Sequence, residues 1–583
     1  MTLSITHRLV LKEPHRHFVQ VETRIRDDAA LPSTLTLFLP VWTPGSYLVR
    51  EYARHIEELR CDAPARVAKV RKNAWEVTTG GARDVVVRYR VYCNELTVRT
   101  NHVDETHAFL NGAALLLAVE GREKAGARVE IDAPEGWDVA TSLPAREGGF
   151  DAPDYDALVD CPIEVGLHRE ERFEVRGKPH RLVVWPRGVA EDADVAKLIA
   201  DTRTILDTEA KIFGDDLPYG AYLFLLYLSP RGRGGLEHTS CCSLLASPAA
   251  FSTRDGYLDL LSLVAHEAFH AWNVKRIRPA GLTPYRYQEE NYTRLLWWFE
   301  GATSYYDWRV LRLSKLCTVP EYLDHLASEI GYLDMTQGRF VHSLEEASFD
   351  AWIKLYRPDE NSQNSSISYY RKGEVVCALL DLEIRARSDG RAKLDDVAEH
   401  LWKRFGARGL PVPERGMNEI FEEVARVPVS DLLDAWVRAP GEIDYATTLA
   451  KVGLAVERTS RSDAPPASFG ARLRSEGARV LVSSIVRGAA AERAGIDPGD
   501  ELIAVGGKRL ESASLDSALK NRREGEVVEV LIGRDGVVST RAVTLDPARK
   551  DRVKLVPLEG ASEAARAAFT AWLGEPHPAW GPR

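Results

Sequence analysis

Residues 260–272 read LLSLVAHEAFHAW, a stretch that combines apolar helical periodicity with two histidines four residues apart. On an α-helix His266 and His270 share one face and lie about 6 Å apart along the axis, so both imidazoles can reach one metal ion. Glu267 lies between them, where its carboxylate can accept a proton from an attacking water. The stretch therefore predicts a metal-binding helix, and the alternative is a pair of histidines satisfied in a core helix.

A catalytic zinc site needs a third protein ligand and one open position. Glu300 follows His270 by 30 residues, within LLWWFEGATSYYDW (295–308), which predicts a second helix. A lone carboxylate among aromatic side chains is costly to bury, and a metal ion would offset that cost. We expect His266, His270 and Glu300 to bind one Zn²⁺ per chain; the alternative for Glu300 is an ion pair with Arg294.

Five segments occur in the order of a known family: VWTPGSYLVREYARH, GGLEH, HEAFHAWNVKRIRP, FEGATSYYD and SYYRKGE, followed by a PDZ-like region. Together they resemble the PDZ-containing glycyl aminopeptidase family, which are gluzincin zinc metallopeptidases related to aminopeptidase N and leukotriene A4 hydrolase. The resemblance covers most of the chain. It implies a zinc-dependent aminopeptidase that hydrolyses the N-terminal peptide bond of peptides and prefers small residues such as Gly or Ala.

The resemblance also implies roles for individual side chains. Gly235 and Glu237 lie in GGLEH, which resembles the exopeptidase motif of these enzymes, and Glu237 would pair with the substrate's α-ammonium group. Tyr370, in YRKG, would donate a hydrogen bond to the oxyanion, with Glu267 as the general base. Tyr369, grouped with the substrate-binding residues, and Tyr306 are rival donors. The alternatives are a surface acid for Glu237 and core packing for each tyrosine.

Two positions depart from the related enzymes. Ser304 occupies the place where thermolysin-type enzymes carry an aspartate that orients a zinc histidine, and the next carboxylate is Asp307. GGLEH ends in His238 where the exopeptidase motif ends in asparagine. Because ligating histidines usually need an outer hydrogen-bond partner, the sequence leaves that partner open.

The chain of 583 residues is too long for one core and predicts a multidomain α+β fold. Strict alternation, as in residues 19–26 and 87–93, predicts an N-terminal antiparallel β-sandwich. Helical periodicity dominates residues 258–449, and short strands return after a polar linker. We expect a β-sandwich domain (1–172), a thermolysin-like HExxH catalytic domain (173–322), a helical subdomain (323–455), a PDZ domain (456–550) and a tail with a short helix (551–583).

The amino-acid composition bears on the classes of binding partner and on the cellular location. Asp and Glu total 86 against 76 Lys and Arg, a net charge of −10 that disfavours nucleic acid. No apolar run is long enough to cross a membrane, and the first residues lack a secretory signal pattern. The seven cysteines are scattered, without a CxxC pair, which is typical of reduced thiols, so we expect a cytoplasmic protein. Oligomeric state is not readable from the sequence.

Residues from about 456 resemble a PDZ domain, with Ser468-Phe469-Gly470 as the carboxylate-binding loop and a short helix near 489–495. Such a domain binds a peptide C-terminus as an added strand. The ligand is left open between a substrate tail, a partner and packing within the chain. Three rival functions also stay open: a PDZ scaffold with an inactive peptidase body, a zinc endopeptidase, and an epoxide hydrolase of the leukotriene A4 hydrolase type.

Overall fold

A computed structural model describes residues 3–512 and 514–578. The chain forms two compact units. The first unit contains the residues up to Thr293 together with Tyr306–Cys317 and Ala398–Arg415. The second contains Arg294–Tyr305, Thr318–Val397 and the residues from Gly416 onward.

The N-terminal part of the first unit is rich in β-strands and carries one short helix, α1 (Tyr155–Val159). The strands are β1 (Ser4–Val10), β2 (Phe18–Arg26), β3 (Thr34–Phe38), β4 (Ile56–Cys61), β5 (Arg66–Arg71), β6 (Ala74–Thr78), β7 (Asp84–Tyr92), β8 (His102–Val103), β9 (His107–Leu110), β10 (Ala118–Val119), β11 (Ala127–Asp132), β12 (Asp138–Thr141), β13 (Ala145–Arg146), β14 (Gly149–Ala152) and β15 (Ile163–Gly166).

These strands form three sheets, in the orders β13-β14-β11-β1-β2-β7-β4, β10-β3-β6-β5 and β12-β15-β9-β8. The predicted β-rich N-terminal domain is confirmed, with one difference: β1 pairs with β11 in parallel. Strand β2 shows why the alternation was readable, since Val19, Val21 and Ile25 are buried while Gln20 and Arg26 are exposed. Inward-facing apolar residues of this kind build the first hydrophobic core.

A five-stranded mixed sheet follows, in the order β16-β17-β18-β20-β19. Its strands are β16 (Arg169–Val175), β17 (Lys178–Trp185), β18 (Tyr222–Leu228), β19 (Gly234–Glu237) and β20 (Cys241–Ala246), and its helices are α2 (Arg187–Asp192), α3 (Val195–Ile212) and α4 (Arg254–Phe269). Strand β18 is buried on both faces, as expected where β17 and β20 flank it in parallel. The sheet places GGLEH on the edge strand β19.

Helices account for most of residues 297–450. A π-helical segment, Trp297–Ala302, precedes α5 (Thr303–Leu313), and then come α6 (Val319–Met335), α7 (Leu344–Phe349), α8 (Ser362–Ser365), α9 (Tyr369–Arg387), α10 (Leu394–Arg404), α11 (Met417–Ala425), α12 (Ser430–Leu433) and α13 (Tyr445–Ala450). The periodicity across 417–437 predicts one helix, but α11 ends at Ala425, and the next residue, Arg426, has a left-handed φ of 53°. Pro428 follows two residues later, and proline disfavours helix in the residue before it.

The last part of the second unit contains β21 (Leu454–Thr459), β22 (Ala467–Ser468), β23 (Ala471–Glu476), β24 (Arg479–Ile485), β25 (Glu501–Val505), β26 (Lys508–Arg509), β27 (Val527–Arg534), β28 (Val537–Thr544), β29 (Asp546–Pro547) and β30 (Arg552–Pro557). Its helices are α14 (Ala490–Arg493), α15 (Asp516–Leu519) and α16 (Glu563–Leu573). Asp535 and Gly536 both have positive φ, as a tight hairpin between β27 and β28 requires. The sheet runs β23-β24-β25-β27-β28, so β23 lies at an edge.

Among the described residues, no helix combines the length and the apolar character that a bilayer crossing requires. All seven cysteines are free of disulfide bonds. Cys241 and Cys242 are fully buried on β20, in agreement with a packing role.

Candidate active site

Helix α4 carries the HExxH motif at its C-terminal end. The Thr253 hydroxyl caps its first turn by accepting a hydrogen bond from the Gly256 amide, and apolar side chains bury most of its length. The rings of His266 and His270 have centroids 4.7 Å apart and stand nearly perpendicular, at 86°. The two imidazoles predicted to share a helix face are therefore neighbours.

Each imidazole is oriented by a hydrogen bond from its Nδ1 atom. His266 Nδ1 lies 3.0 Å from Asp307 Oδ2, and His270 Nδ1 lies 2.6 Å from the Asn273 carbonyl oxygen. Because both acceptors take a proton from Nδ1, the lone pair of each ring is on Nε2, the arrangement of a metal-binding histidine. Asp307 thus provides the carboxylate partner that the sequence left open, one helical turn beyond the position of Ser304.

Glu267 is 5% exposed and faces the edge strand β19. A Cβ atom built on Gly235 would lie 1.9 Å from Glu267 Oε1, so any larger residue at this position would displace the Glu267 carboxylate. The Gly235 carbonyl accepts a hydrogen bond of 3.1 Å from the Arg99 guanidinium, which ties the strand to the N-terminal sheets. Strand β19 and helix α4 therefore approach closely at the Glu267 carboxylate.

Glu237, at the end of β19, is buried rather than a surface acid, with 4% exposure. Donor atoms of Glu237, Glu267 and His270 all lie within 4.8 Å of one another. A Cβ atom on Gly45 would meet both carboxylate oxygens of Glu237 at 2.5 Å, and Gly45 has a φ of +89°. The PGSY loop of the N-terminal domain thus covers the Glu237 carboxylate, and this contact was not predicted from the sequence.

The second unit holds Glu300 on the π-helical segment, where the carboxylate is 2% exposed. This segment packs closely against α9: a Cβ atom on Gly301 would come within 2.6 Å of Gly373 Cα. π-Helical turns inside longer helices are frequent at functional sites. Arg294, the alternative ion-pair partner of Glu300, has its guanidinium 4.5 Å from the centroid of the Phe349 ring.

Tyr370 is the second residue of α9 and lies near Glu300. Burial, together with the Glu300 charge, raises the pKa of the Tyr370 phenol well above its ordinary value, so the phenol stays a hydrogen-bond donor. Its hydroxyl lies 3.2 Å from the Tyr356 hydroxyl, and its ring stacks on Tyr369 with centroids 4.7 Å apart. Tyr369 is fully buried. In the first unit the rival Tyr306 stacks on Phe269 of α4, with ring centroids 4.8 Å apart.

Glu209 was missed from the sequence although it lies on the buried face of α3. Its side chain is fully buried, and neither carboxylate oxygen has a hydrogen-bond partner within the described parts of the chain. Burial, with a smaller contribution from the Asp307 charge, raises the pKa of Glu209 well above its ordinary value. The sequence did contain a signal for Glu209, because this acidic residue lies among apolar residues whose spacing predicts the buried face of a helix.

The basic run after α4 consists of Lys275, Arg276 and Arg278, of which Lys275 is buried and the two arginines are half-buried. Lys275 Nζ lies 2.7 Å from Asp160 Oδ1, and the same carboxylate lies 3.3 Å from His238 Nδ1. The Asp160 charge keeps the pKa of Lys275 above its ordinary value despite the opposing effect of burial. Lys275 thus joins the segment after α4 to the N-terminal domain, and His238 contacts the same Asp160 carboxylate.

Comparisons with known proteins agree with this geometry. Residues 6–167 match the Peptidase M61 N-terminal domain, residues 259–376 match M61 glycyl aminopeptidase, and residues 459–533 match the PDZ domain. An aminopeptidase N family protein from Idiomarina loihiensis superposes with a TM-score of 0.91 at 29% identity, covering 98% of this chain and all of that one.

Two more distant structures match at lower similarity. Yeast LTA4 hydrolase in complex with bestatin has a TM-score of 0.46 and 15% identity, covering 77% of this chain and 70% of that chain. An M1 zinc metallopeptidase from Deinococcus radiodurans has a TM-score of 0.46 and 15% identity, covering 76% of this chain and 94% of that chain. No curated protein matches the chain by sequence.

The HExxH helix, the aminopeptidase N-like fold and the matched domains define a metallopeptidase. More narrowly, the chain carries the M61 N-terminal domain, the M61 glycyl aminopeptidase domain and the PDZ domain that was predicted from its C-terminal strands.

Proposed function

We propose that this metallopeptidase is a zinc-dependent aminopeptidase that removes one N-terminal residue from peptides. The observation that carries the proposal is the pair of buried carboxylates, Glu267 and Glu237, beside His270. One carboxylate suits the general base of hydrolysis, and the other suits recognition of a positively charged amino terminus.

His266, His270 and Glu300 are the proposed ligands of one Zn²⁺ per chain. Two imidazoles and a carboxylate are the ligands of several catalytic zinc sites. The hydrogen bonds from Nδ1 to Asp307 and to the Asn273 carbonyl support this assignment, because they present Nε2 of each ring as the ligand atom. Bound Zn²⁺ would polarise the scissile carbonyl and acidify the attacking water.

Glu267 would accept the proton of the attacking water and pass it to the departing amine. The close approach of Gly235 supports this role, since the glycine leaves room for the carboxylate at the edge of β19. Peptide backbone lying along that edge strand would bring the first peptide bond to Glu267. Gly235 is thus proposed as a substrate-binding residue.

Tyr370 would donate its phenolic proton as a hydrogen bond to the oxyanion. The raised pKa of this phenol supports the role, because the group stays protonated at neutral and mildly alkaline pH. Tyr369, stacked on Tyr370, would line the substrate site and hold the donor ring in place.

Glu237 would pair with the substrate's α-ammonium group and so limit cleavage to the first peptide bond. The Gly45 loop that covers the carboxylate supports a closed end to the site. A short, closed site would favour small N-terminal residues such as Gly or Ala.

The test is a panel of amino-acid anilides with and without N-acetylation. We expect release from glycyl and alanyl anilides, loss of release with a chelator, and no cleavage of the acetylated forms. Glu267→Gln should lower kcat by at least about 100-fold while retaining the metal. Cleavage of acetylated peptides as fast as free ones would identify an endopeptidase, and full turnover by Glu267→Gln would remove the proposed base.

For the PDZ domain we propose binding of a peptide C-terminus beside β23. The edge position of β23 supports this, because an added strand needs unpaired backbone groups. Gly470, with a φ of +81°, shapes the adjoining loop of residues 468–470.

A cytoplasmic location is proposed as well, supported by the seven cysteines without disulfide bonds.

A further inference from the structure

The hairpin formed by β8 and β9 carries a second group of metal-ligand side chains. His102 pairs with Phe109 across the hairpin, and Val103 pairs with Ala108, so His102, Asp104 and His107 point to the same face. Ligand atoms of these three side chains all lie within 4.8 Å of one another. All three belong to the first unit, in the N-terminal domain.

Glu164 on β15 orients His107. His107 Nδ1 lies 3.1 Å from Glu164 Oε1, and both side chains are fully buried. With its proton donated to the carboxylate, the ring bears its lone pair on Nε2. Trp185 stacks on the other side of the ring with centroids 3.6 Å apart and fixes its plane.

Two imidazole nitrogens at this hairpin are buried without a hydrogen-bond partner among the described residues: His107 Nε2 and His102 Nδ1. The His102 side chain is 4% exposed, and its Nε2 atom lies 3.1 Å from Asp104 Oδ2. Because a buried polar atom without a partner is costly, such an atom normally binds a water molecule or an ion. The two unpartnered nitrogens belong to side chains whose ligand atoms cluster with an Asp104 carboxylate oxygen within 4.8 Å, and this donor cluster favours a cation.

The chemistry of the donors selects the kind of cation. Two neutral imidazoles and one carboxylate suit zinc and similar divalent transition ions rather than Ca²⁺ or Mg²⁺, which prefer oxygen ligands. A carboxylate behind a ligating histidine is the common outer partner of such sites, and Glu164 occupies that position. Asp104 is 33% exposed, so an ion can enter from solvent.

We propose that His102, Asp104 and His107 bind a second divalent transition ion, Zn²⁺, with Glu164 as a positioning residue and with water in the remaining position. The ion would link the hairpin to β15 and to Trp185 of β17, and its role is structural. This inference does not rest on the proposed peptidase site, which uses other ligands.

The first experiment measures zinc per chain in purified full-length protein after equilibration with Zn²⁺ and removal of the excess. In a His266→Ala/His270→Ala background we expect one zinc per chain to remain. Adding Asp104→Asn or His102→Asn should remove it, whereas His15→Ala, at an exposed histidine of the same domain, should leave it in place. Absence of zinc in the background protein, or its retention in the Asp104 and His102 variants, would overturn the proposal.

A second experiment guards against a folding defect, because His107 is fully buried. Glu164→Gln keeps the shape of the side chain but weakens the orientation of His107, so zinc affinity in the same background should fall by about 10- to 100-fold. Co²⁺ in place of zinc should give the visible absorption of a four-coordinate nitrogen and oxygen site, and this absorption should vanish with Asp104→Asn. An unchanged affinity in Glu164→Gln, or a spectrum of hydrated Co²⁺ alone, would contradict the assignment.

Discussion

At the scale of the residue, the HExxH histidines depend on neighbours that lie at very different distances along the chain. His266 uses Asp307, which is 41 positions away, while His270 uses the carbonyl of Asn273 within its own turn. The two imidazoles are therefore held by different kinds of acceptor, a charged side chain and a backbone dipole. Substitution can test only the charged partner, because a backbone carbonyl cannot be removed by changing a side chain.

Asp307→Asn should lower zinc affinity and kcat/KM by about 10- to 100-fold, because asparagine is a weaker acceptor for the His266 Nδ1 proton. Metal titration and anilide kinetics provide the measurements. Ser304→Ala is the matched control on the same helix, at the position where related enzymes place their aspartate, and should leave both values near wild type. Equal losses in the two variants would argue against Asp307 as the partner of His266.

Gly235→Ala should abolish most peptidase activity without unfolding the chain. The added methyl group would overlap Glu267 Oε1, at 1.9 Å, and displace the proposed base. Gly234→Ala is the matched control, since its Cβ would meet the end of the Arg99 side chain at 3.3 Å and Val98 Cγ2 at an ordinary contact distance of 3.9 Å. We expect a fall in kcat of at least about 100-fold for Gly235→Ala; comparable activity in both alanine variants would exclude the overlap as important.

At the scale of the element, the π-helical segment and α9 pack through two glycines rather than through side chains. Gly301 and Gly373 bring the two backbones together, and this contact lies beside Glu300 and Tyr370. The FEGA and YRKG segments are thus two halves of one packing contact. Their glycines are explained by backbone proximity and need no catalytic role.

Gly301→Ala should destabilise the second unit by about 1–3 kcal/mol, because its methyl group would lie 2.6 Å from Gly373 Cα and neither backbone can yield easily. Thermal unfolding measures the effect. Gly331→Ala on α6, where the nearest atom would be 3.6 Å away, should instead stabilise by up to about 1 kcal/mol. A stable Gly301→Ala protein would show that the two backbones can separate.

At the scale of the whole molecule, one buried lysine should make stability depend on pH. Lys372 is 1% exposed, and burial, with a smaller contribution from the Arg339 charge, lowers its pKa to about 8. The unfolded chain retains the ordinary value of 10.5. Between these two values the unfolded state binds more protons than the folded state, so folding stability contributed by this group rises with pH.

The Lys372→Met variant should lose that dependence. Between pH 8 and pH 10.5 the free energy of unfolding of wild type should rise by about 3 kcal/mol relative to that of the variant. Below about pH 7.5 the two stability curves should run parallel. Unfolding midpoints of both proteins across this range provide the measurement, and other titrating groups cancel in the difference. Parallel curves throughout would mean that the ammonium group stays charged in the folded state.

The sequence alone determined the α+β class, the β-rich N-terminal domain, the PDZ domain and the resemblance to the glycyl aminopeptidases, because periodicity and local motifs act over a few residues. Strands β2 and β7 lie at the alternating stretches 19–26 and 87–93 that predicted strands. The predicted helix across 417–437 was broken by a left-handed Arg426 that periodicity does not reveal. The bounds of the five predicted segments and the roles of the site residues stay predictions.

Tertiary structure decided which distant side chains meet. Three contacts join residues that lie 41 to 192 positions apart: Asp307 with His266, the Gly45 loop with Glu237, and Glu164 with His107. The physical reason is that hydrogen bonds and steric contacts act over a few ångströms in space, whereas a motif records only neighbours along the chain. The HExxH site can be predicted from the sequence because a helix brings residues four positions apart close together. Strand order and packing bring the partners of these side chains to the site.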